Sequence, residues 1–174
     1  QYSSDWLITK KQLAPSTYLD YSNTVNRLNE EFGQYKLDEI TMIMVIKFYD
    51  KLRTKGTNKN NQEKGLSEKT IKNIHDVFSN ILDCAVDDEL INKNPLRNKH
   101  FPTPKPVKKE IVFLDDNDIV KLAQELSKEK LKYQCMVRIA LETGLRIGEI
   151  NALEWKDIDF TTGAIQITKT IQRI

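Results

Sequence analysis

The feature that most constrains this chain is a long amphipathic stretch that begins just after Ser67. Apolar side chains recur there at steps of three or four residues, and the full stripe is Ile71, Ile74, Val77, Phe78, Ile81, Leu82 and Ala85. This spacing is the period of an α-helix that buries one face. Ser67 is a favourable N-cap, because its hydroxyl can accept a hydrogen bond from a first-turn N–H. The pattern therefore predicts a helix from Ser67 to about Val86.

Three further helices are predicted among the first hundred residues, the two longer ones from the same period. A short helix is predicted over 4–9 with Trp6 as its apolar anchor, a second over 15–33, and a third over 41–56. The second begins with proline and ends with glycine, which are favourable in the first turn and just past the end of a helix. The polar, glycine-bounded stretch 56–65 predicts a mobile loop. The first part of the chain is thus expected to be a group of packed helices.

A lysine-rich segment with three prolines follows these helices. Proline and charge together favour an extended, stiff linker over a packed element. We therefore predict a helical domain over residues 1–98, a basic linker over 99–110 and a second domain over 111–174.

The second domain begins with an apolar run, Ile111–Phe113, that fits either a short strand or a simple lead-in. Asp115 is predicted to cap the helix that follows, with Leu114 packing on Ile119 as a hydrophobic staple. The later stretch 131–143 is apolar on most faces of the helix that it would form, which predicts a central buried helix.

Beyond that helix, the pattern predicts a short helix over 146–153 and then a strand. The residues that share one face of the strand are Ile165, Ile167, Lys169 and Ile171.

Composition argues against several classes of site. Cys84 and Cys135 are far apart in the sequence and each is followed by apolar residues, so we predict two buried free thiols and no disulfide. His75 and His100 have no metal-ligand partners at useful spacing. No apolar run approaches the roughly 20 residues needed to span a bilayer. We therefore expect a cytoplasmic protein without a metal centre.

The distribution of charge is more informative than its sum. The formal net charge is only +2, which does not by itself indicate a nucleic-acid partner. Seven basic and two acidic residues lie over 51–72, and six basic and no acidic residues lie over 93–109. Such runs are often only a solvated surface. Two of them flanking one helix favour a phosphate-binding surface.

The run Thr143–Glu149 combines a helix-ending glycine with an arginine at the start of the next helix. Arginine carries five N–H donors in a rigid fork and stays charged, so Arg146 is suited to clamping a phosphodiester and stabilising charge in a transition state. Glu149, one turn later, is placed to orient that arginine. The same residues also fit a simpler arrangement, in which Gly144 ends a helix and Arg146 forms a surface ion pair with Glu149 or Glu142.

The run Thr-Gly-Leu-Arg-Ile-Gly-Glu, with Trp155 and the Asp-Ile-Asp of 157–159, resembles the first catalytic-arginine box of tyrosine recombinases, the family of phage and transposon integrases. Upstream segments resemble the helical core-binding domain of that family, in the family's order. These segments are 16–18, 32–33, 37–40, 66–75 and 91–95. The arginine box is fairly specific, whereas each helical match is weak by itself.

The resemblance implies a mainly α fold, with a SAM-like helical core-binding domain followed by the start of an α+β catalytic domain. It implies site-specific DNA recombination, the integration or excision of a mobile element. In this reaction a tyrosine attacks a DNA phosphodiester and forms a 3′-phosphotyrosine link, which a second DNA end then attacks. No metal or nucleotide cofactor is implied. Arg146 falls on the first catalytic arginine, and Glu149 falls on the acidic position that supports it.

Parts of the family pattern have no counterpart in these 174 residues. Neither His75 nor His100 begins the family's His-x-x-Arg box, and the last of the six tyrosines, Tyr133, precedes Arg146, although the nucleophile should follow it. Lys169 is a candidate for the family's catalytic lysine, but we favour a surface strand lysine. The chain is therefore expected to be a fragment that binds DNA without cleaving it.

Candidate DNA-contacting residues lie at two helix starts and in the linker. They are Ser16, Thr17, Lys69, Thr70, Lys72, Asn73, Lys105, Lys108 and Lys109. Side chains of these types contact phosphates, and lysine, threonine and asparagine also contact base edges in the major groove. For each of them, capping or solvation is the alternative interpretation.

The expected partners are double-stranded DNA, further copies of the full-length protein in a tetramer on paired sites, and an excisionase that sets direction. Two other hypotheses stay open at this point. One is a non-catalytic, truncated protein that occupies recombination sites, and the other is a helical protein-interaction domain without a DNA role.

Overall fold

The computed structural model describes residues 1–55, 65–108 and 110–172, and these divide into two compact units, Gln1–Lys109 and Glu110–Ile174. The fold is mainly helical, as predicted. Most of the predicted 56–65 loop lies outside the described residues. Within the described ranges, no helix is long and apolar enough to cross a membrane, and no three His, Cys, Asp or Glu side chains are grouped as metal ligands.

The helices of the first unit follow the predicted stripes closely. Pro15 begins the second helix, and the N–H of Gly33 closes it by donating to the Asn29 carbonyl at 2.9 Å. Short 3-10 turns at Leu37–Glu39 and Pro95–Arg97 are additions that the helical period does not predict. The helices are α1 (Tyr2–Ile8), α2 (Pro15–Phe32), α3 (Met42–Lys55) and α4 (Glu68–Asp87).

Helix α4 packs against both α2 and α3 through its apolar stripe. Ser67 caps it as predicted, because its Oγ accepts a hydrogen bond from the Thr70 N–H at 3.2 Å. Phe78 is 3% exposed, and its ring centre lies 5.2 Å from that of Phe32 on α2. Phe32 also meets Phe48 of α3 edge-on. Burial of these rings stabilises the unit through lost apolar surface and favourable ring contacts.

A buried polar pair lies in the same core. The Tyr49 hydroxyl and Nδ1 of His75 share a hydrogen bond of 3.1 Å, and the ring of Phe101 packs 5.3 Å from the imidazole. Burial lowers the pKa of His75, so the imidazole is neutral at pH 7. Phe101 and Pro104 are both buried. The first residues of the predicted 99–110 linker therefore pack as part of the helical unit.

The second unit begins with Ile111–Phe113 as an exposed lead-in and not as a strand. Asp115 caps the next helix as predicted, because its carboxylate accepts from the Asp118 N–H at 2.8 Å. Leu114 and Ile119 stay 55% and 43% exposed, so the expected staple buries little surface. The elements are α5 (Asp116–Leu126), α6 (Leu131–Thr143), α7 (Ile147–Ala152), a 3-10 turn (Trp155–Asp157), and the antiparallel strands β1 (Ile158–Asp159) and β2 (Ala164–Ile165).

Three predictions from the sequence are wrong. Helix α6 has no fully buried residue, because the described elements that pack on it, α7 foremost, cover its side chains only in part. Cys135 on α6 is consequently exposed, and Cys84 is only half-buried, so the two thiols are not both buried. The predicted strand ends at Ile165, because β1 supplies a partner for two residues only. Residues 166–172 continue without a ladder.

Candidate nucleic-acid interface

Arg146 stands at the junction of α6 and α7. Gly144 ends α6 in the left-handed conformation with φ of 68°, which favours glycine, and its N–H donates to the Ala140 carbonyl at 2.9 Å. Thr143 supports the turn, because its Oγ1 accepts from the Leu145 N–H at 3.3 Å. Arg146 then forms the N-cap of α7 with a side chain that is 86% exposed. The turn therefore presents the guanidinium to solvent.

Glu149 holds Arg146 through the backbone and the side chain. The Arg146 N–H donates to Oε2 at 2.8 Å, and Nη1 donates to Oε1 at 3.2 Å. These hydrogen bonds, the backbone one foremost, lower the pKa of Glu149, so its carboxylate stays ionised. Of the two partners considered from the sequence, Arg146 pairs with Glu149 and not with Glu142 in the described structure. Nε and Nη2 have no protein partner within the described ranges, which leaves one edge of the fork open to an anion.

A close backbone contact fixes the start of α7. The Ile171 N–H donates to the Gly148 carbonyl at 2.9 Å. A Cβ atom on Gly148 would lie 2.5 Å from Oγ1 of Thr170 and 2.8 Å from the Ile171 carbonyl oxygen. Only glycine fits at this position while segment 170–171 keeps its place.

Replacing Gly148 with alanine is therefore expected to displace segment 170–171 from α7. Overpacking of this kind costs about 1–3 kcal/mol. Hydrogen exchange should show faster exchange of the Ile171 amide in the variant, together with a lower melting temperature. Ile147→Ala is the matched control, because Ile147 is 62% exposed and its truncation creates no clash. Unchanged protection of the Ile171 amide in Gly148→Ala would contradict the prediction.

Lys169 lies in a carboxylate cluster after β2. Its ammonium contacts Glu154 and lies 3.8 Å from an Asp157 carboxylate oxygen. Hydrogen bonds from Lys156 and then from Lys169 lower the pKa of Glu154 to about 2. Lys169 is thus an ion-paired residue on a surface segment, as we favoured, although that segment is not part of the β-ladder.

The α4 candidates occupy the first turns of that helix. Lys69, Thr70 and Asn73 are exposed, and Lys72 is half-exposed and ion-paired with Asp76. Thr70 also lies 3.0 Å from the capping Ser67 hydroxyl. Lys69 has no ion-pair partner within the part of the chain that the structure describes, so its charge is available to a ligand.

The remaining DNA-contacting candidates lie in α2 and in the linker. Ser16 and Thr17 are half-buried within the first turn of α2, whose N-cap is Ala14, so neither is the N-cap. Lys105 and Lys108 are exposed in the segment before the second unit. The last linker candidate, Lys109, lies outside the described residues.

Sequence reasoning missed a polar network near the end of α4. Asn94 is buried, and its amide donates to the Ser79 carbonyl at 3.0 Å and to Oδ1 of Asp83 at 2.7 Å. Asp83 also accepts from Arg97, at 2.6 Å from Nη2 and 3.1 Å from Nε. The dipeptide Asn94-Pro95 predicts a turn, but its partners on α4 are not visible in the sequence.

Comparison with protein families covers both units. Residues 4–101 match the phage integrase SAM-like domain, and residues 112–173 match the phage integrase family. A tyrosine recombinase XerC-like protein of Caldanaerobacter subterraneus is 28% identical over 177 residues, which cover 97% of this chain and 42% of that protein. The ICEBs1 integrase of Bacillus subtilis is 29% identical over 158 residues, covering 90% of this chain and 40% of the relative. The chain thus spans less than half the length of these relatives.

Solved structures share the fold. The Tn1549 transposon integrase in complex with a circular intermediate DNA superposes with a TM-score of 0.82 at 22% identity, over all of this chain and 53% of that one. A lambda integrase dimer bound to a COC′ core site gives a TM-score of 0.74 at 16% identity, over 91% and 52% of the two chains. At these identities the likeness establishes the fold, a helical SAM-like domain followed by the start of the catalytic domain.

Proposed function

The chain belongs to the phage integrase family of tyrosine recombinases, and we propose from this that the protein performs site-specific DNA recombination to integrate or excise a mobile element. The observation that carries the proposal is the Arg146–Glu149 pair. A guanidinium is held by one ionised carboxylate while its other edge faces solvent. That arrangement suits a phosphodiester, because the fork of arginine matches two phosphate oxygens.

In the proposed reaction, the hydroxyl of a tyrosine gives up its proton to a base or to water, and its oxygen forms a bond to the scissile phosphorus while the bond to O5′ breaks. The leaving oxygen takes up a proton and departs as a 5′-hydroxyl, and the phosphate remains on the tyrosine as a 3′-phosphotyrosine. Arg146 would hold the non-bridging oxygens and stabilise the charge that they gain in the transition state. Glu149 would keep the guanidinium in position. The steps need no cofactor.

Residues 1–174 alone are proposed to bind DNA without cleaving it, because each of the six tyrosines lies before Arg146. The same observation supports the second candidate function, a non-catalytic protein that occupies recombination sites. In the recombinase itself, we propose that four copies act on paired sites and that an excisionase sets direction.

The proposed DNA surface comprises the exposed start of α4, the first turn of α2 and the linker. Lys69 and Lys72 carry charge at the start of α4, with Thr70 and Asn73 beside them. Ser16 and Thr17 would contact phosphate at α2, and Lys105, Lys108 and Lys109 would follow the backbone beyond.

The test is duplex binding by the double variant Lys69→Glu/Lys72→Glu. The unmodified chain should bind duplex DNA with an affinity that falls steeply between about 50 and 200 mM salt, because bound lysines release counterions. The variant should bind about tenfold more weakly or worse, with the salt slope reduced by about two. Lys36→Glu/Lys47→Glu is the matched control, since both lysines are exposed and lie outside the proposed surface. Equal loss in both variants would indicate only a net-charge effect, and no binding by the unmodified chain would refute the proposal.

A further inference from the structure

A polar cleft lies between the middle of α4 and the segment 96–103. Buried side chains form its floor, and these are His75, Ser79, Leu96 and Phe101. Its volume of about 510 Å³ is large enough to admit a phosphate group with its water. None of the DNA-contacting candidates except Lys72 lines this cleft.

Cationic side chains dominate the rim of the cleft. Lys72, Arg97 and Lys99 line it, against a single carboxylate, Asp76, among the described lining residues. Lys72 is ion-paired with Asp76, whereas Lys99 is exposed and has no ion-pair partner in the described parts of the chain. Arg97 is 69% exposed. Lys72 and Arg97 are each ion-paired with one carboxylate, so Lys99 gives the cleft its net positive charge, which favours an anion.

Arg97 is held in place before any ligand arrives. Asp83 accepts from its Nε and Nη2, which leaves Nη1 without a protein partner in the described structure. Asp83 is itself bound by Asn94, and Asn94 is anchored to the backbone of α4 at Ser79. A guanidinium that is already ordered loses less side-chain entropy on binding.

The floor of the cleft is equally fixed. The Phe101 N–H donates to the Asn98 carbonyl at 2.9 Å, and the Thr103 N–H donates to the Phe101 carbonyl at 2.8 Å. The Phe101 ring packs on His75, which joins this segment to α4. The cleft is thus a preformed feature of the helical unit.

We propose that this cleft is a phosphate-binding site for the DNA backbone, in which Arg97 and Lys99 contact a phosphodiester and Asn94 and Asp83 act as positioning residues. The inference rests on the proposed duplex binding and extends it to residues outside the α4 start. Lys69 and Lys72 lie along α4 toward this cleft, so one DNA strand running beside α4 would meet both groups in turn. These contacts are to phosphate, so they would hold DNA of any sequence.

The test compares Arg97→Gln/Lys99→Gln with the matched control Lys36→Gln/Lys47→Gln in the full chain. The probe is a short DNA duplex of arbitrary sequence, titrated at several salt concentrations, with a duplex RNA of the same length alongside. The cleft variant should bind DNA about tenfold more weakly, with the salt slope reduced by about two, while the control keeps both values. Lys99→Gln alone, which breaks no ion pair, should reduce the slope by about one.

A variant that should strengthen DNA binding provides an independent test. Asp76→Asn removes the carboxylate from the rim and frees Lys72, so DNA affinity and the salt slope should both rise. Melting curves of every variant verify that the chain is folded.

Three outcomes would overturn the inference. They are an unchanged slope in Arg97→Gln/Lys99→Gln while the unmodified chain binds DNA, a loss confined to duplex RNA, and weaker binding in Asp76→Asn. In the first two cases the α4 surface and the proposed function would stand, whereas weaker binding in Asp76→Asn would also contradict the role of Lys72 in the α4 surface. If the unmodified chain binds no duplex, the proposed function and this inference fail together.

Discussion

Replacing Arg146 with glutamine in the complete form of the proposed recombinase is expected to reduce DNA strand cleavage about 100- to 1,000-fold, the usual cost of removing one donor that stabilises transition-state charge. Glutamine keeps much of the side-chain length but has neither the charge nor the fork of arginine. The measurement is the rate at which a covalent protein–DNA adduct accumulates on a nicked substrate. Affinity for intact duplex should change far less, because many other phosphate contacts remain.

Two neighbouring carboxylates provide the controls for Arg146→Gln. Glu142 is exposed and makes no ion pair with Arg146 in the described structure, so Glu142→Gln should cleave at the unmodified rate. Glu149→Gln keeps an acceptor for the Arg146 N–H but loses the charge, so it should cleave more slowly than the parent and faster than Arg146→Gln. Residues 1–174 alone should form no adduct. If Arg146→Gln cleaved normally, the Arg146–Glu149 pair would be a surface ion pair only.

The features that the sequence predicts correctly depend on residues that are close together in the chain. The start of α4 depends on Ser67 and a first-turn N–H, and the buried stripe follows from the helical period. The Arg146–Glu149 contact is equally local, since residues three apart at a helix start lie side by side. The cap and the Arg146–Glu149 contact each need only four consecutive residues, and the stripe needs only residues within one helix, so the sequence itself contains the information.

Features that depend on distant partners are not predictable in this way. The Asn94–Asp83–Arg97 network joins a turn to a helix whose residues lie more than ten positions earlier. Local composition predicts Phe101 as a linker residue, yet Phe101 is buried because its ring packs on those of His75 and Tyr49. Helix α6 is apolar in composition but has no fully buried residue. Composition indicates which side chains a helix could bury, but it does not indicate whether another element covers them.

The largest stability effect is expected for Phe78→Ala. Phe78 is 3% exposed and packs against Phe32, so its truncation leaves a cavity in the aromatic cluster that joins the helices. Loss of a buried phenylalanine costs about 3–5 kcal/mol. That is a large part of the roughly 5–15 kcal/mol that stabilises a typical domain. Urea unfolding followed by circular dichroism should show a much lower midpoint for the variant.

Leu19→Ala is the control for this truncation. Leu19 is 44% exposed on α2, so its loss should change the free energy of unfolding by no more than about 0.5 kcal/mol. A midpoint for Phe78→Ala close to that of Leu19→Ala would show that the aromatic cluster does not hold the helices together.

Helix α4 has Phe78 on its buried face and the proposed phosphate contacts on its exposed face. Comparing Phe78→Ala with Lys69→Glu/Lys72→Glu therefore distinguishes DNA binding lost through unfolding from DNA binding lost through missing contacts. Phe78→Ala should bind weakly because few molecules are folded, and excess DNA should restore the fold by mass action. Its salt slope, measured on the folded fraction, should equal that of the unmodified chain. Lys69→Glu/Lys72→Glu should instead stay folded and lose part of the slope. The same helix would then be shown to support the fold through its buried face and to bind DNA through its exposed face.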